Sequence, residues 1–287
     1  MEKTLIILGN GFDLDLGLNL SFEAYCNNPL CFAYKGKRWS DFENYIRKKI
    51  LDWSCNTPYD LNQAKEINNE WHAFKKRLSY FFTDETTKEL HINASSCAYT
   101  FLKNISEKSK VYTFNYTYPY EFVDLAIRKE FIFVHGRYVY DTFKDDFMTW
   151  SQSQNMIVGI DYKRIPNNVK DNENLKCIIK QLNSSYTKTN LENDILEPEY
   201  VVFFGFSMSI PDSDYFDNFF SAISIRHTKC KQIYCITKDK KAFNQFIRNI
   251  EELGFSTKKI CSQVKITPIY TQDGIENEKF KHVLSLI

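Results

Sequence analysis

Residues able to do chemistry recur directly after short apolar runs. Gly9-Asn10-Gly11-Phe12-Asp13 follows Thr4–Leu8, with Gly17 six residues beyond Gly11. Glycines at a strand end let the backbone approach a phosphate, and the helix that follows offers N–H groups and a positive dipole end. The same residues suit a tight turn in which Asp13 caps a helix. Thr113-Phe114-Asn115-Tyr116-Thr117 ends a second run; the Asn115 amide could hold a ribose hydroxyl or orient a water, or form an Asx turn. Phe133-Val134-His135-Gly136 puts an imidazole where a general base would work, although a lone histidine is also a common structural residue. Phe203-Phe204-Gly205-Phe206-Ser207-Met208-Ser209 brings a glycine and hydroxyls to another strand end, with Asp212 and Asp214 behind as candidate helix N-caps. Gly159-Ile160-Asp161 repeats the pattern in outline.

The elements that must position these residues alternate along the chain. Thr4–Leu8, Val111–Phe114, Phe131–Val134, Met156–Ile160, Tyr200–Phe204, Gln232–Ile236 and Val264–Thr267 read as buried strands, with amphipathic helices such as Phe216–Ile225 and Lys241–Leu253 between several of them. That order predicts an α/β fold, a mostly parallel sheet with helices on both faces. From residue 20 to 109 the rhythm changes. Phe42, Ile46, Ile50 and Trp53, then Leu61, Ala64, Ile67, Trp71, Phe74, Leu78 and Phe81, mark helical stripes, and Ser40-Asp41-Phe42-Glu43 has capping-box spacing. The expectation is one domain over 1–287 carrying a helical insertion at 20–109 after the first strand-turn-helix. Residues 165–195, polar around a helix-length stretch at Leu175–Leu182, read as a solvent-exposed excursion.

Composition narrows the classes. Lys and Arg number 37 against 36 Asp and Glu, a net charge of +1, which lacks the electrostatic footprint of a dedicated nucleic-acid binder. The eight cysteines form no C-x-x-C pair, which disfavours a zinc ribbon and leaves no metal site to expect. No run reaches the length of a membrane span, and the apolar stretch after Met1-Glu2-Lys3 is short for a signal peptide. A cytoplasmic protein with reduced thiols, most of them buried, is the expectation. Glycine is scarce, nine residues or about 3% against roughly 7% on average, and six of the nine (Gly9, Gly11, Gly17, Gly136, Gly159 and Gly205) stand in or beside the strand-end segments.

Taken in order, Leu8-Gly9-Asn10-Gly11-Phe12-Asp13-Leu14, Gly17-Leu18, Trp39-Ser40-Asp41-Phe42-Glu43, Phe114-Asn115-Tyr116-Thr117, His135-Gly136 and Gly205-Phe206-Ser207 resemble the bacteriophage abortive-infection AbiH-like proteins across most of the chain. More distantly the parts are similar to the Rossmann-like, sirtuin-like NAD-binding fold of bacterial antiphage effectors. That resemblance implies a nucleotide site of Gly9, Asn10, Gly11, Phe12, Asp13, Asn115, Gly205 and Ser207, with Asn115 by the nicotinamide ribose and His135 as base. Asn10 stands where a small residue is usual, Thr117 where the family string has Asp, and the zinc cysteine pairs of deacylating sirtuins are missing.

The implied activity is NAD hydrolysis to nicotinamide and ADP-ribose, with a phage-encoded trigger or a second copy of the chain as partner. Glu43 either closes the capping box or lends a carboxylate to the oxocarbenium-like state. Two other readings stay open: a nucleotide-gated sensor that binds without turnover, and an RNA-directed toxin stacking bases on Tyr116, Tyr118 and Tyr120.

Overall fold

The computed structural model describes residues 4–28, 39–55, 60–87, 91–126, 128–138, 156–160, 162, 165–183, 186 and 189–287, the side chains of 39–41, 86–87, 210–211 and 213 apart. It is an α/β structure. The elements run β1 (Thr4–Leu8), α1 (Asn10–Leu16), α2 (Phe22–Asn27), α3 (Trp39–Cys55), α4 (Leu61–Thr87), α5 (Cys97–Asn104), β2 (Lys110–Thr113) and β3 (Ile132–Phe133). There follow α6 (Asn167–Lys170), α7 (Leu191–Asp194), β4 (Tyr200–Phe204), α8 (Asp217–Ser224), β5 (Gln232–Thr237), α9 (Lys240–Glu252), α10 (Thr257–Cys261), β6 (Lys265–Tyr270) and α11 (Glu278–Leu284). Among the described residues no helix is long and apolar enough to cross a membrane.

Two compact units divide the chain: Met1–Asn19 with Leu90–Val134 and Thr189–Ile287, and Leu20–Glu89 with His135–Lys188. The stretch 20–109 therefore contributes to both, since α5 belongs to the first unit and packs on α1.

The first unit holds a six-stranded parallel sheet in the order β3-β2-β1-β4-β5-β6. Every residue of β1 is buried, as an unbroken Thr-Leu-Ile-Ile-Leu run requires of a central strand covered on both faces. It pairs with β2 from Leu5↔Lys110 to Leu8↔Thr113 and with β4 from Thr4↔Tyr200 to Leu8↔Phe204. The chain leaves β1 toward β2 and β3, then returns to β4 on the other side. The carboxyl ends of β1 and β4 thus flank the topological switch point, where open α/β sheets bind ligands. Asp239 caps α9 by accepting from the Ala242 N–H at 2.8 Å, and Phe246 and Ile250 bury its apolar face.

In the second unit α3 and α4 bury the stripes read from the sequence, Phe42, Ile46, Ile50 and Trp53 against Ala64, Ile67, Trp71, Phe74, Leu78 and Phe81. The Phe42 and Phe74 rings stack with centroids 3.6 Å apart. Leu61, the first residue of α4, is 60% exposed, so the stripe begins one turn later than its spacing suggests.

Two expected elements are corrected. Met156–Ile160 is buried, but among the described residues it joins no sheet and its ladder contact is an isolated bridge from Ile160 to Ile179. The Leu175–Leu182 stretch is not an α-helix but two 3-10 turns, Lys176–Ile178 and Lys180–Leu182, separated by extended Ile179. The bridge explains both, because Ile179 must be extended to meet Ile160. Cysteine burial is also less general than expected. Cys97, Cys230 and Cys235 are buried, whereas Cys55 and Cys261 are exposed.

Candidate functional site

At the switch point two strand-end loops meet backbone to backbone. Gly9, extended at the head of α1, donates its N–H to Phe204 O at 2.9 Å; Gly11 donates to Gly205 O at 2.9 Å, and Phe12 to Gly9 O at 2.8 Å. A Cβ on Gly9 would lie 2.6 Å from Phe206 Cα, and one on Gly11 2.8 Å from Gly205 Cα. These glycines are therefore first a packing device between the β1 and β4 loops. The N–H groups of Gly9 and Gly11, which the spacing offers to a phosphate, are committed to protein carbonyls. The Phe12 side chain is core, fully buried and edge-on to Phe204 and Phe101 with centroids at 4.9 and 6.3 Å.

The loop after β4 is built the other way. Among the described residues, no N–H from Phe206 to Ser209 donates to another backbone group. Ser207 is exposed, and its carbonyl accepts from the buried Asn249 amide at 2.6 Å. Met208 follows with φ 53 although it is fully buried. A left-handed non-glycine residue costs about 1–2 kcal/mol, which burial of Met208 and the Asn249 bond offset. Unengaged N–H groups in a bent loop at a strand end are anion-binding chemistry. Asp212 and Asp214 do not cap α8. They lie in the 3-10 helix Ile210–Tyr215, and the residue heading α8 is Phe216, without a side-chain cap.

Between β1 and β2 sits a buried polar cluster. Asn115 is 7% exposed and reaches across the strand ends, its Nδ2 donating to Gly9 O at 3.0 Å, while its N–H bonds Thr113 Oγ1 at 3.1 Å. The turn is thus made by the Thr113 hydroxyl, which leaves the Asn115 amide to tie the loops together. Asp13 is the fourth residue of α1, not its cap, and is 1% exposed. The Thr117 hydroxyl donates to its Oδ2, and its Oδ1 is buried without a hydrogen-bond partner. Burial pushes the Asp13 carboxyl from 3.8 up to about 7, against the opposing pull of Thr117 and Asn115. A helix N-terminus favours a carboxylate by only about 0.3–1 kcal/mol, too little to reverse a desolvation of this size. Thr117 is the residue that holds Asp13. The Thr113-x-Asn115-x-Thr117 alternation was the available signal.

The remaining candidates lie in the second unit. His135, which opens the second segment of that unit, stands two residues past β3 and is buried at 4% exposure, its carbonyl accepting from Ile157 N–H at 2.7 Å. Gly159 packs on the Ile178 carbonyl, 2.3 Å from where a Cβ would stand. Gly136 adopts φ 73, and Asp161 lies outside the described residues. Glu43 faces Lys180, which is 2% exposed, with Nζ to Oε1 at 3.4 Å; the Ser40 side chain lies outside the described residues. Breaking a buried ion pair from one side is costly, so Lys180→Met is expected to cost about 3 kcal/mol in urea unfolding, with part of it recovered when Glu43→Leu is added. Equal losses in the single and double variants would show that the pair is not what matters.

Tyr120 is 1% exposed, its hydroxyl donating to Leu102 O, and Tyr118 packs edge-on to Phe131. The Tyr120 ring belongs to the core, whereas Tyr118 is half-buried. Among the described residues no group of three His, Cys, Asp or Glu side chains forms a metal cluster. In comparison with known proteins, no family model matches the chain and no curated protein matches it.

Proposed function

We propose that the protein is an antiphage abortive-infection effector that binds NAD at the carboxyl edge of the sheet and hydrolyses it to nicotinamide and ADP-ribose. The observation that carries this reading is the loop Phe206–Ser209, whose N–H groups are unengaged by the backbone at the switch point. The pyrophosphate would lie on that loop with the Ser207 hydroxyl, and Asn10 would close the site from the β1 side. Asn115, pinned by Gly9 O, would orient the ribose or the attacking water. The resemblance to sirtuin-like effectors gives the proton to His135. Departure of nicotinamide builds positive charge on the ribose, and a buried carboxyl among neutral dipoles suits that state better than bulk water does.

Incubation of the purified protein with NAD tests the reading by chromatography. Release of nicotinamide that falls at least about 100-fold in Asn115→Ala and His135→Ala is expected. Release undiminished in both would sink the assignment. Tight binding of intact NAD without turnover, in the presence of phage lysate as well as without it, would point instead to a nucleotide-gated sensor.

A further inference from the structure

We propose that Asp13 takes the proton of the attacking water; the inference rests on the NAD-hydrolysis reading and moves the base from His135 to a residue of the sheet unit. Geometry carries it. Asp13 Oδ2 is held by the Thr117 hydroxyl, and Oδ1 is buried without a hydrogen-bond partner, while Asn115, the residue that would orient the water, lies close enough to the carboxyl to favour its charged form. A buried carboxyl oxygen without a partner is destabilising, and a structural role would be served as well by asparagine, which brings no charge. The arrangement makes sense if Oδ1 meets a donor supplied by the bound state.

No charged side chain faces this carboxyl among the described residues. On α1, Asp15 turns to the Ala98 N–H at 2.8 Å. From α5, which packs on α1, Cys97 approaches Thr271 O at 3.9 Å and Lys103 lies over the Tyr99 ring. Asn115 and Thr117, from the segment after β2, are neutral. Proton uptake at Asp13 is therefore set by burial and two dipoles, which places its titration near neutral pH, where a general base works best.

In the step itself, the water oxygen bonds to ribose C1′ as the C1′–N bond to nicotinamide breaks. The electron pair of that bond goes to the ring nitrogen, which neutralises the pyridinium. One water proton passes to Asp13 Oδ1 and leaves to solvent after the products, nicotinamide and ADP-ribose, depart.

The test is kcat against pH for NAD cleavage by wild type, Asp13→Asn, Thr117→Val and His135→Asn. Wild type is expected to show an acidic limb with its midpoint near 7. Asp13→Asn should lose that limb and about 10²–10⁴-fold in kcat, with NAD affinity by calorimetry changed less than about threefold. Thr117→Val, which removes a bond that favours the charged form, should move the limb to higher pH, a response that a merely structural Asp13 would not give. Infrared difference spectra supply a readout independent of turnover: a protonated-carboxyl band at about pH 6 that is absent from Asp13→Asn. The proposal is overturned if Asp13→Asn keeps both rate and limb while His135→Asn loses them, in which case the NAD reading stands. Absence of the carboxyl band overturns it regardless of activity, and absence of turnover in wild type overturns the reading on which it rests.

Discussion

Asp13→Asn is expected to melt at a higher temperature than wild type at about pH 8 and at nearly the same temperature at about pH 4. The sign follows from where the proton binds. The folded carboxyl titrates at about 7 and the unfolded one at 3.8, so between those values the folded state holds a proton that the unfolded state has released. Stability contributed by this group is complete below the unfolded value, declines as pH rises through the window and levels off above about 7. Three pH units at about 1.4 kcal/mol each give on the order of 4 kcal/mol, or roughly 10 °C in melting temperature for a chain of this size. Asparagine keeps the shape and a partner for Thr117 without the charge, so its curve lacks this decline. The measurement is the difference between the two proteins across the pH series, which cancels the other titrating groups. Parallel curves would mean that Asp13 stays ionised in the fold. A gain in stability accompanied by loss of turnover would mark Asp13 as a residue kept for function at a structural cost.

Gly205→Ala is expected to abolish the native fold. An added Cβ would stand 2.1 Å from Phe12 N and 2.4 Å from Gly11 C, and φ is 65. The obstacles are backbone atoms of the β1 loop, which cannot swing aside as a side chain can, and the left-handed conformation adds its own cost. A loss above about 4 kcal/mol places this among the exceptional single substitutions, and recovery in inclusion bodies is the anticipated outcome. Gly254→Ala is the control. Its φ is 92, yet nothing lies within 4 Å of the added atom, so only the conformational cost of roughly 1–2 kcal/mol remains. Urea midpoints of the two variants separate crowding from backbone strain. Similar losses would show that the contact between loops carries no weight.

Much of the fold is legible because continuous apolar runs and heptad-like stripes report burial directly. Tyr200–Phe204 and Gln232–Ile236 are strands within a residue of where they read, and the α3 and α4 stripes are buried as spaced. Met156–Ile160 shows the limit. Its composition reports that it is inside, which is true, but four apolar residues around a glycine do not say whether a ladder partner exists. Leu175–Leu182 fails for a related reason, since the bridge at Ile179 is a contact made by a distant segment and no local propensity encodes it.

The candidate site divides in the same way. A scarce glycine reports that something comes close, and Gly9, Gly11 and Gly205 do sit together, but what comes close is another loop's backbone. The unengaged N–H groups lie one loop over, at Phe206–Ser209, and a backbone amide carries no residue-type signature. Asp13 reads as a helix cap because an acidic residue near a helix start usually is one. Its polar neighbours in the fold, Thr117 and Asn115, lie roughly a hundred residues away in sequence.

The pairing of β1 with β4 also has a consequence for how the chain is made. Thr4 must wait for Tyr200 to complete the centre of the sheet, which at about 5–20 residues per second of synthesis is on the order of 10–40 s. During that interval Leu5, Ile6, Ile7 and Leu8, all buried in the finished molecule, hold one edge open beside the growing chain. Ribosome-bound nascent chains ending shortly before residue 200 should therefore be the species most strongly retained by holdase chaperones, and those extended past β5 should be released.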